Sequence, residues 1–114
     1  MQQVVEDVKL KVVDSVAAKG FAAHHAQDQL SPFAFSRRIP GPKDVAIEIL
    51  YCGVCHTDVH LVRNDWGISI YPIVPGHEIV GRVVNVGSEV TKFTAGDIAG
   101  VGCLVDSCRH CDNC

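Results

Sequence analysis

Hydrophobic and polar positions alternate with a period of two over much of the chain. Phe33, Phe35, Arg37 and Ile39 alternate with smaller residues, and Val45, Ile47, Ile49 and Tyr51 alternate with Ala46, Glu48 and Leu50. Successive side chains of a strand point to opposite faces, so this rhythm predicts half-buried strands. Pro40-Gly41-Pro42-Lys43 between them predicts a turn, because proline fixes φ and glycine permits the reversal. Residues 79–86, β-branched-rich and bounded by Gly76 and Gly87, predict another strand, and Gly96-Asp97 a turn before a short strand over 98–101. Residues 56–64 contain neither proline nor glycine and predict a short helix. Several short strands with frequent turns point to an antiparallel barrel or sandwich rather than alternating βαβ units.

The first residues keep a different spacing. Val5, Val8, Val12 and Val16 fall at near-helical steps, which leaves a short amphipathic helix and a strand beginning near Lys9 equally open. Residues 1–15 are read as an extension of unknown role and 16–114 as the domain. Gly81, Gly87 and Gly96 read as turn or close-packing positions, and Asp97 as a side-chain cap of its turn. His24 and His25, beside Gln27, Asp28 and Gln29, read as a solvated loop, and Arg37-Arg38 as a surface pair at a strand end.

Composition narrows the function classes. The chain has 114 residues, 47% hydrophobic, with a net charge of −3, which fits one small globular domain. No Lys/Arg block marks a nucleic-acid or membrane face, and no apolar run approaches a bilayer span. The acidic start Met1-Gln2-Gln3-Val4-Val5-Glu6-Asp7 lacks the basic region of a secretion signal, which makes a reducing cytoplasm the expected compartment. The dinucleotide fingerprint Gly-x-Gly-x-x-Gly is missing, since Gly100-Val101-Gly102 leads only into Cys103-Leu104-Val105.

Six cysteines then need a reason, and in a chain with no export signal metal binding precedes disulfides. Cys52-Gly53-Val54-Cys55-His56 formally matches c-type haem attachment, a redox pair, or two core cysteines. Haem attachment needs export, and a redox pair needs a thioredoxin-like βαβ setting. Zinc takes thiolate and imidazole ligands. Cys55 offers the first, and the bend Pro75-Gly76 is suited to present His77 as the second. Cys108, Cys111 and Cys114, at a strict three-residue step, can converge on one metal; an iron–sulfur loop begins with the same spacing.

Taken together, Cys52-Gly53-Val54-Cys55-His56-Thr57-Asp58-Val59-His60 and Tyr71-Pro72-Ile73-Val74-Pro75-Gly76-His77-Glu78-Ile79-Val80-Gly81 resemble the zinc-dependent medium-chain alcohol dehydrogenases. The run from Gly96 to Asp106 resembles their cinnamyl-alcohol-dehydrogenase and NADP-dependent aldehyde-reductase branch. The resemblance spans about residues 16–114. It implies a mainly β fold: a GroES-like, partly open β-barrel with short helices, here the N-terminal part of the catalytic domain. It implies Cys55 and His77 as ligands of a catalytic zinc, with Glu78 able to approach the metal, and Asp58 as the carboxylate that orients the histidine. Thr57 then touches the substrate oxygen, His60 ends the proton relay, His56 lies near the cofactor pyrophosphate, and Trp66 borders the substrate pocket. Cys108, Cys111 and Cys114 match three of four ligands of a structural zinc, with water, Asp112 or His110 available for the fourth place. Cys52 and Cys103 match non-ligand positions and are expected in the core.

The implied activity is interconversion of primary alcohols and aldehydes with zinc and NADP(H), by a parent protein expected to be a homodimer with neither nucleic-acid nor membrane partners. The third catalytic ligand, the fourth structural ligand and the nucleotide-binding domain are not among these residues, so the 114 residues alone are expected to be inactive. The alternative is a catalytically inactive zinc-binding fragment or a barrel module that binds another protein.

Overall fold

The computed structural model describes residues 15–114. Expectations for residues 1–14 lie outside the described residues. Val16 is an exception to the helical valine series: it sits in strand β1, Ser15–Ala22, which sequence periodicity did not mark. The run Ala17-Ala18-Lys19-Gly20 has too little apolar contrast to show a period. Strand β2, Ser31–Arg38, pairs antiparallel with β1 in unbroken register from Ser15↔Arg38 to Ala22↔Ser31. Phe33 and Phe35, two apart and therefore on one face, stack with ring centroids 5.9 Å apart.

The second sheet has the order β3-β4-β5, all antiparallel, with β3 Val45–Gly53, β4 Glu78–Val86 and β5 Ile98–Val101. β4 is its centre and carries Val83, which is 1% exposed. The turn before β5 is closed as expected for Asp97: its carboxylate accepts from the Thr94 N–H at 2.9 Å and the Thr94 hydroxyl at 3.1 Å. Two register shifts interrupt the β3–β4 ladder, between Ala46 and Ile47 and between Ile49 and Tyr51. Each bulge changes which face the following residues occupy. The expected inward row is therefore only half covered: Val45 and Ile47 are partly buried, whereas Ile49 and Tyr51 are exposed.

At Gly81 the backbone of β4 lies close against β3. A Cβ there would collide with the Glu48 carbonyl and the Ile47 side chain, and backbone cannot step aside as a side-chain tip can. Gly81→Ala is expected to destabilise the fold by about 1–3 kcal/mol, seen as a lower urea midpoint with an unchanged slope; an unmoved midpoint would show that the ladder yields freely.

The fold is mainly β, and its two sheets are open; they do not close into a barrel. No described backbone ladder joins β2 to β3. The chain instead turns at residues 39–44, where Arg38 forms an ion pair with Asp44, with Nη2–Oδ1 at 2.9 Å. The sheet of β1 and β2 is tied to the loop before β4 by an Ala23–Ile73 bridge, whose two backbone hydrogen bonds are 3.0 and 2.9 Å. Buried hydrophobic side chains among the described residues are Ala22, Ala23, Val83 and Ala99. Cys52 and Cys103 are exposed, which corrects their expected place in the core: each lies at or just beyond a strand end, at the open edge of its sheet. No described helix is long and apolar enough to cross a membrane.

Candidate functional site

The only helix among the described residues, α1 His56–Arg63, starts where the Cys-x-x-Cys motif ends, with Cys55 as its N-cap. Asp58 in the first turn accepts the Cys55 N–H at 3.1 Å, satisfying a donor that the helix leaves without an internal partner. At the other end Asn64 adopts a left-handed conformation, φ 58°, which its short polar side chain tolerates. The carbonyls of the last turn are then claimed by the returning loop: Ser69 Oγ donates to Leu61 O at 2.5 Å and Tyr71 Oη to Val62 O at 2.5 Å. These bonds fold residues 64–77 back along the helix. α1 is flanked by β3 and β4, but those strands are antiparallel neighbours. This is not the parallel βαβ setting of a thioredoxin-like redox pair.

The returning loop brings Pro75-Gly76-His77 over the helix N-terminus. Gly76 has φ 122°, and a Cβ there would meet Cys52 Sγ at 2.8 Å; only glycine suits both the conformation and the space. His77 Nε2 then lies 3.1 Å from Cys55 Sγ, although 22 residues separate them in sequence. His77 Nδ1 lies 3.1 Å from Asp58 Oδ1. The same oxygen accepts the Gly76 N–H at 2.9 Å. Asp58, 6% exposed and the one buried charged residue described, thus joins the helix cap, the loop bend and the imidazole. Glu78 opens β4 opposite Gly53, whose missing side chain leaves room for the glutamate.

Cys55, His77 and Glu78 each offer one ligand atom, and these lie within 4.8 Å of one another. The hydroxyl and backbone N–H of Thr57 hold the Cys55 thiol below its ordinary range, and His77 adds to this. The Cys55 contact pushes the His77 imidazole up, with the Asp58 and Glu78 charges helping. A thiolate, an imidazole and a carboxylate in one partly buried corner fit a borderline ion such as zinc. The imidazole is anchored through its other nitrogen by a carboxylate, as metal-bound histidines usually are.

Farther along α1, His60 Nδ1 is 2.7 Å from Asp65 Oδ2. The His60 ring packs on Trp66 with centroids 5.0 Å apart, and the His56 ring lies 5.6 Å away. Asp65 was not marked by the sequence; a carboxylate five residues after a histidine carries no periodic signal. An open groove of about 1040 Å³ runs behind the site, lined by apolar residues including Phe21, Val54, Val59 and Val62, with Asp58 at its wall. Trp66 does not line it; the tryptophan is held against His60 instead.

The three late cysteines also meet. Cys114 Sγ is 3.2 Å from Cys108 Sγ and 3.3 Å from Cys111 Sγ. The loop closes through Arg109, φ 60°, and a Cys114 N–H to Cys111 O bond of 3.0 Å. Two thiolates on one tetrahedral zinc stand roughly 3.8 Å apart for Zn–S near 2.3 Å, so the trio has to open only slightly to hold one. Neither Asp112 nor His110 joins this group of mutually close donors; His110 Nδ1 instead contacts Cys108 O at 2.6 Å.

Hydrogen bonds from Cys108 and Cys111, with the Arg109 N–H, bring the Cys114 thiol down to about 6. The sign is that of a stabilised thiolate: it persists at neutral pH and is lost as pH falls through 6. In metal-free, reduced protein, alkylation of Cys114 by iodoacetamide is expected to reach half its maximal rate near pH 6, against about 8.5 for an unperturbed cysteine. A midpoint near 8.5, mapped by peptide mass analysis, would show that the trio does not form without metal.

Comparison with known proteins agrees with this architecture. Residues 41–114 match the family model described as the alcohol dehydrogenase GroES-like domain. The chain is 58% identical over 101 residues to a probable cinnamyl alcohol dehydrogenase 8A of Oryza sativa subsp. japonica, covering 89% of this chain and 28% of the relative. It is 58% identical over 96 residues to an aldehyde reductase of Escherichia coli, covering 84% and 28%. Among solved structures, a cinnamyl alcohol dehydrogenase of Sorghum bicolor superposes with a TM-score of 0.84 at 56% identity, covering 87% of this chain and 28% of that one. The corresponding enzyme of Helicobacter pylori, complexed with NADP(H), gives 0.85 at 48%, covering 89% and 29%. The chain therefore spans a little over a quarter of the length of these relatives.

Proposed function

Because this chain belongs to the alcohol dehydrogenase GroES-like domain family, we propose that it supplies the zinc-binding half of the active site of an NADP(H)-dependent enzyme that interconverts primary alcohols and aldehydes. The observation that carries this reading is the corner where Cys55 Sγ and His77 Nε2 meet at 3.1 Å, with Asp58 behind the imidazole. Cys55 and His77 hold the ion, with Glu78 near enough to take or release a ligand place. Zinc there supplies a Lewis acid that acidifies an alcohol or polarises an aldehyde.

The chain's own residues do the rest. Thr57, next along the helix from His56, presents a hydroxyl to the substrate oxygen and passes on its proton. His60 receives that proton at the solvent end, its ring set by Asp65; an imidazole suits this task because one ring nitrogen can accept a proton while the other donates. His56, exposed at the first turn, contacts the cofactor pyrophosphate. Trp66 borders the substrate side of His60. Cys108, Cys111 and Cys114 hold a second, structural zinc. Residues 16–114 form the first part of the catalytic domain, and the parent protein acts as a homodimer in the cytoplasm.

The test is a chimera in which residues 15–114 replace the matching segment of the rice or E. coli relative. It is expected to oxidise NADPH with an aromatic aldehyde, and Thr57→Val is expected to reduce kcat by about 10²-fold or more with zinc content unchanged. A chimera that folds and binds zinc and NADPH but does not turn over would overturn the reading.

A further inference from the structure

Residues four apart on a helix lie on one face, and two imidazoles at that spacing can grip one ion. His56 and His60 stand at this spacing on α1, with ring centroids 5.6 Å apart and planes at 46°. At metal–nitrogen distances of about 2.1 Å, two imidazoles sharing an ion have centroids roughly 5 Å apart, so the rings need only a small rotation to converge. Both are reachable from solvent: His56 is exposed, and the His60 side chain is 36% exposed.

Asp65 prepares the pair. Its carboxylate lies 2.7 Å from His60 Nδ1. That contact favours the tautomer with its proton on Nδ1, leaving Nε2 with the lone pair a metal needs. Trp66 packs against the His60 ring, with centroids 5.0 Å apart.

We propose that His56 and His60 form a third metal site, an open bidentate chelate for a borderline divalent ion of the Ni²⁺, Cu²⁺ or Zn²⁺ class, separate from the two cysteine-containing centres. Having nitrogen donors only and water in the remaining places, it binds more weakly than Cys55 with His77 and fills only when the stronger sites are saturated. An ion held there occupies the two histidines assigned above to the pyrophosphate and the proton path, and so makes excess metal inhibitory. That consequence rests on the proposed function; the chelate itself does not.

Trp66 provides the readout, being the chain's only tryptophan and 5.0 Å from the His60 ring. Chain given two equivalents of zinc, enough for the cysteine-containing centres and no more, is titrated with Ni²⁺ under tryptophan fluorescence. Saturable quenching is expected, with its midpoint raised about tenfold or more by His56→Ala, because the second imidazole binds intramolecularly. His60→Gln has the same effect, and His25→Ala leaves the midpoint in place. Far-UV circular dichroism confirms that the variants keep the fold. Absence of saturable quenching into the millimolar range would overturn the chelate, and so would a midpoint that neither His56→Ala nor His60→Gln moves. Neither result touches the dehydrogenase reading, which turnover of the chimera tests separately.

Discussion

Replacing His77 with alanine is expected to weaken zinc binding at the α1 centre by at least about 10²-fold while leaving the three-cysteine centre filled. The imidazole is one of only two strong donors at that corner; without it the Cys55 thiol faces an exposed glutamate and a widened gap. The loss is local because the other metal group is built from the loop of residues 108–114, which shares no donor with it. Competition against a chelator of known affinity, with elemental analysis at each step, separates the two populations. His77→Ala should remove the Cys55–His77 population only, and Cys111→Ser the three-cysteine population only. If His77→Ala leaves both populations intact, the Cys55–His77 contact is a half-buried polar pair and not a metal centre.

Substitution of Asp58 is expected to cost both stability and metal. The carboxylate accepts from the Cys55 N–H at 3.1 Å and the Gly76 N–H at 2.9 Å, and lies 3.1 Å from His77 Nδ1. Asp58→Ala leaves these donors without a partner at a site that is 6% exposed. Each buried donor left unsatisfied costs about 1–3 kcal/mol, so a total near 3 kcal/mol is expected if loop relaxation lets water reach some of them. Asp58→Asn keeps an acceptor oxygen and is expected to retain more of the fold, but to lose about 10–100-fold in zinc affinity as the imidazole loses its anionic anchor. Urea unfolding and chelator competition on the two variants measure the terms separately. An Asp58→Asn protein with unchanged zinc affinity would show that the carboxylate serves the helix cap alone.

How much of this could be read from the residues varies with the range of the interaction. Period-two alternation located β2 and β3 to within about two residues, and β-branched content with bounding turns located β4 and β5, because strand pleating and turn chemistry are local properties. The helix of residues 56–63 followed from the absence of proline and glycine over 56–64. β1 escaped, because its alanines and glycine carry no alternation; its strand state comes from pairing with β2, from Ser15↔Arg38 to Ala22↔Ser31. The halves of β3 show the converse. Its alternation is plain in the sequence, yet two bulges decide which of Val45, Ile47, Ile49 and Tyr51 are covered. Cys52 and Cys103 were expected in a core that the described residues do not build over them.

The candidate site divides the same way. Residue types and spacing by themselves pointed to metal, placing a thiolate at a helix start and a histidine after a Pro-Gly bend, and the motifs aligned them with a family. The three-residue cysteine step also announced its own convergence, since a tight loop leaves those thiols little room to part. Only the tertiary structure joined His77 to Cys55 across 22 residues, because that distance is set by the loop's bonds to α1 and by the register of β4. Tertiary structure likewise made Asp58 a hub, and set Asp65 and Trp66 around His60. Spacing along a chain determines which residues share a strand or helix face; the closure of loops and the pairing of strands determine which of those faces meet.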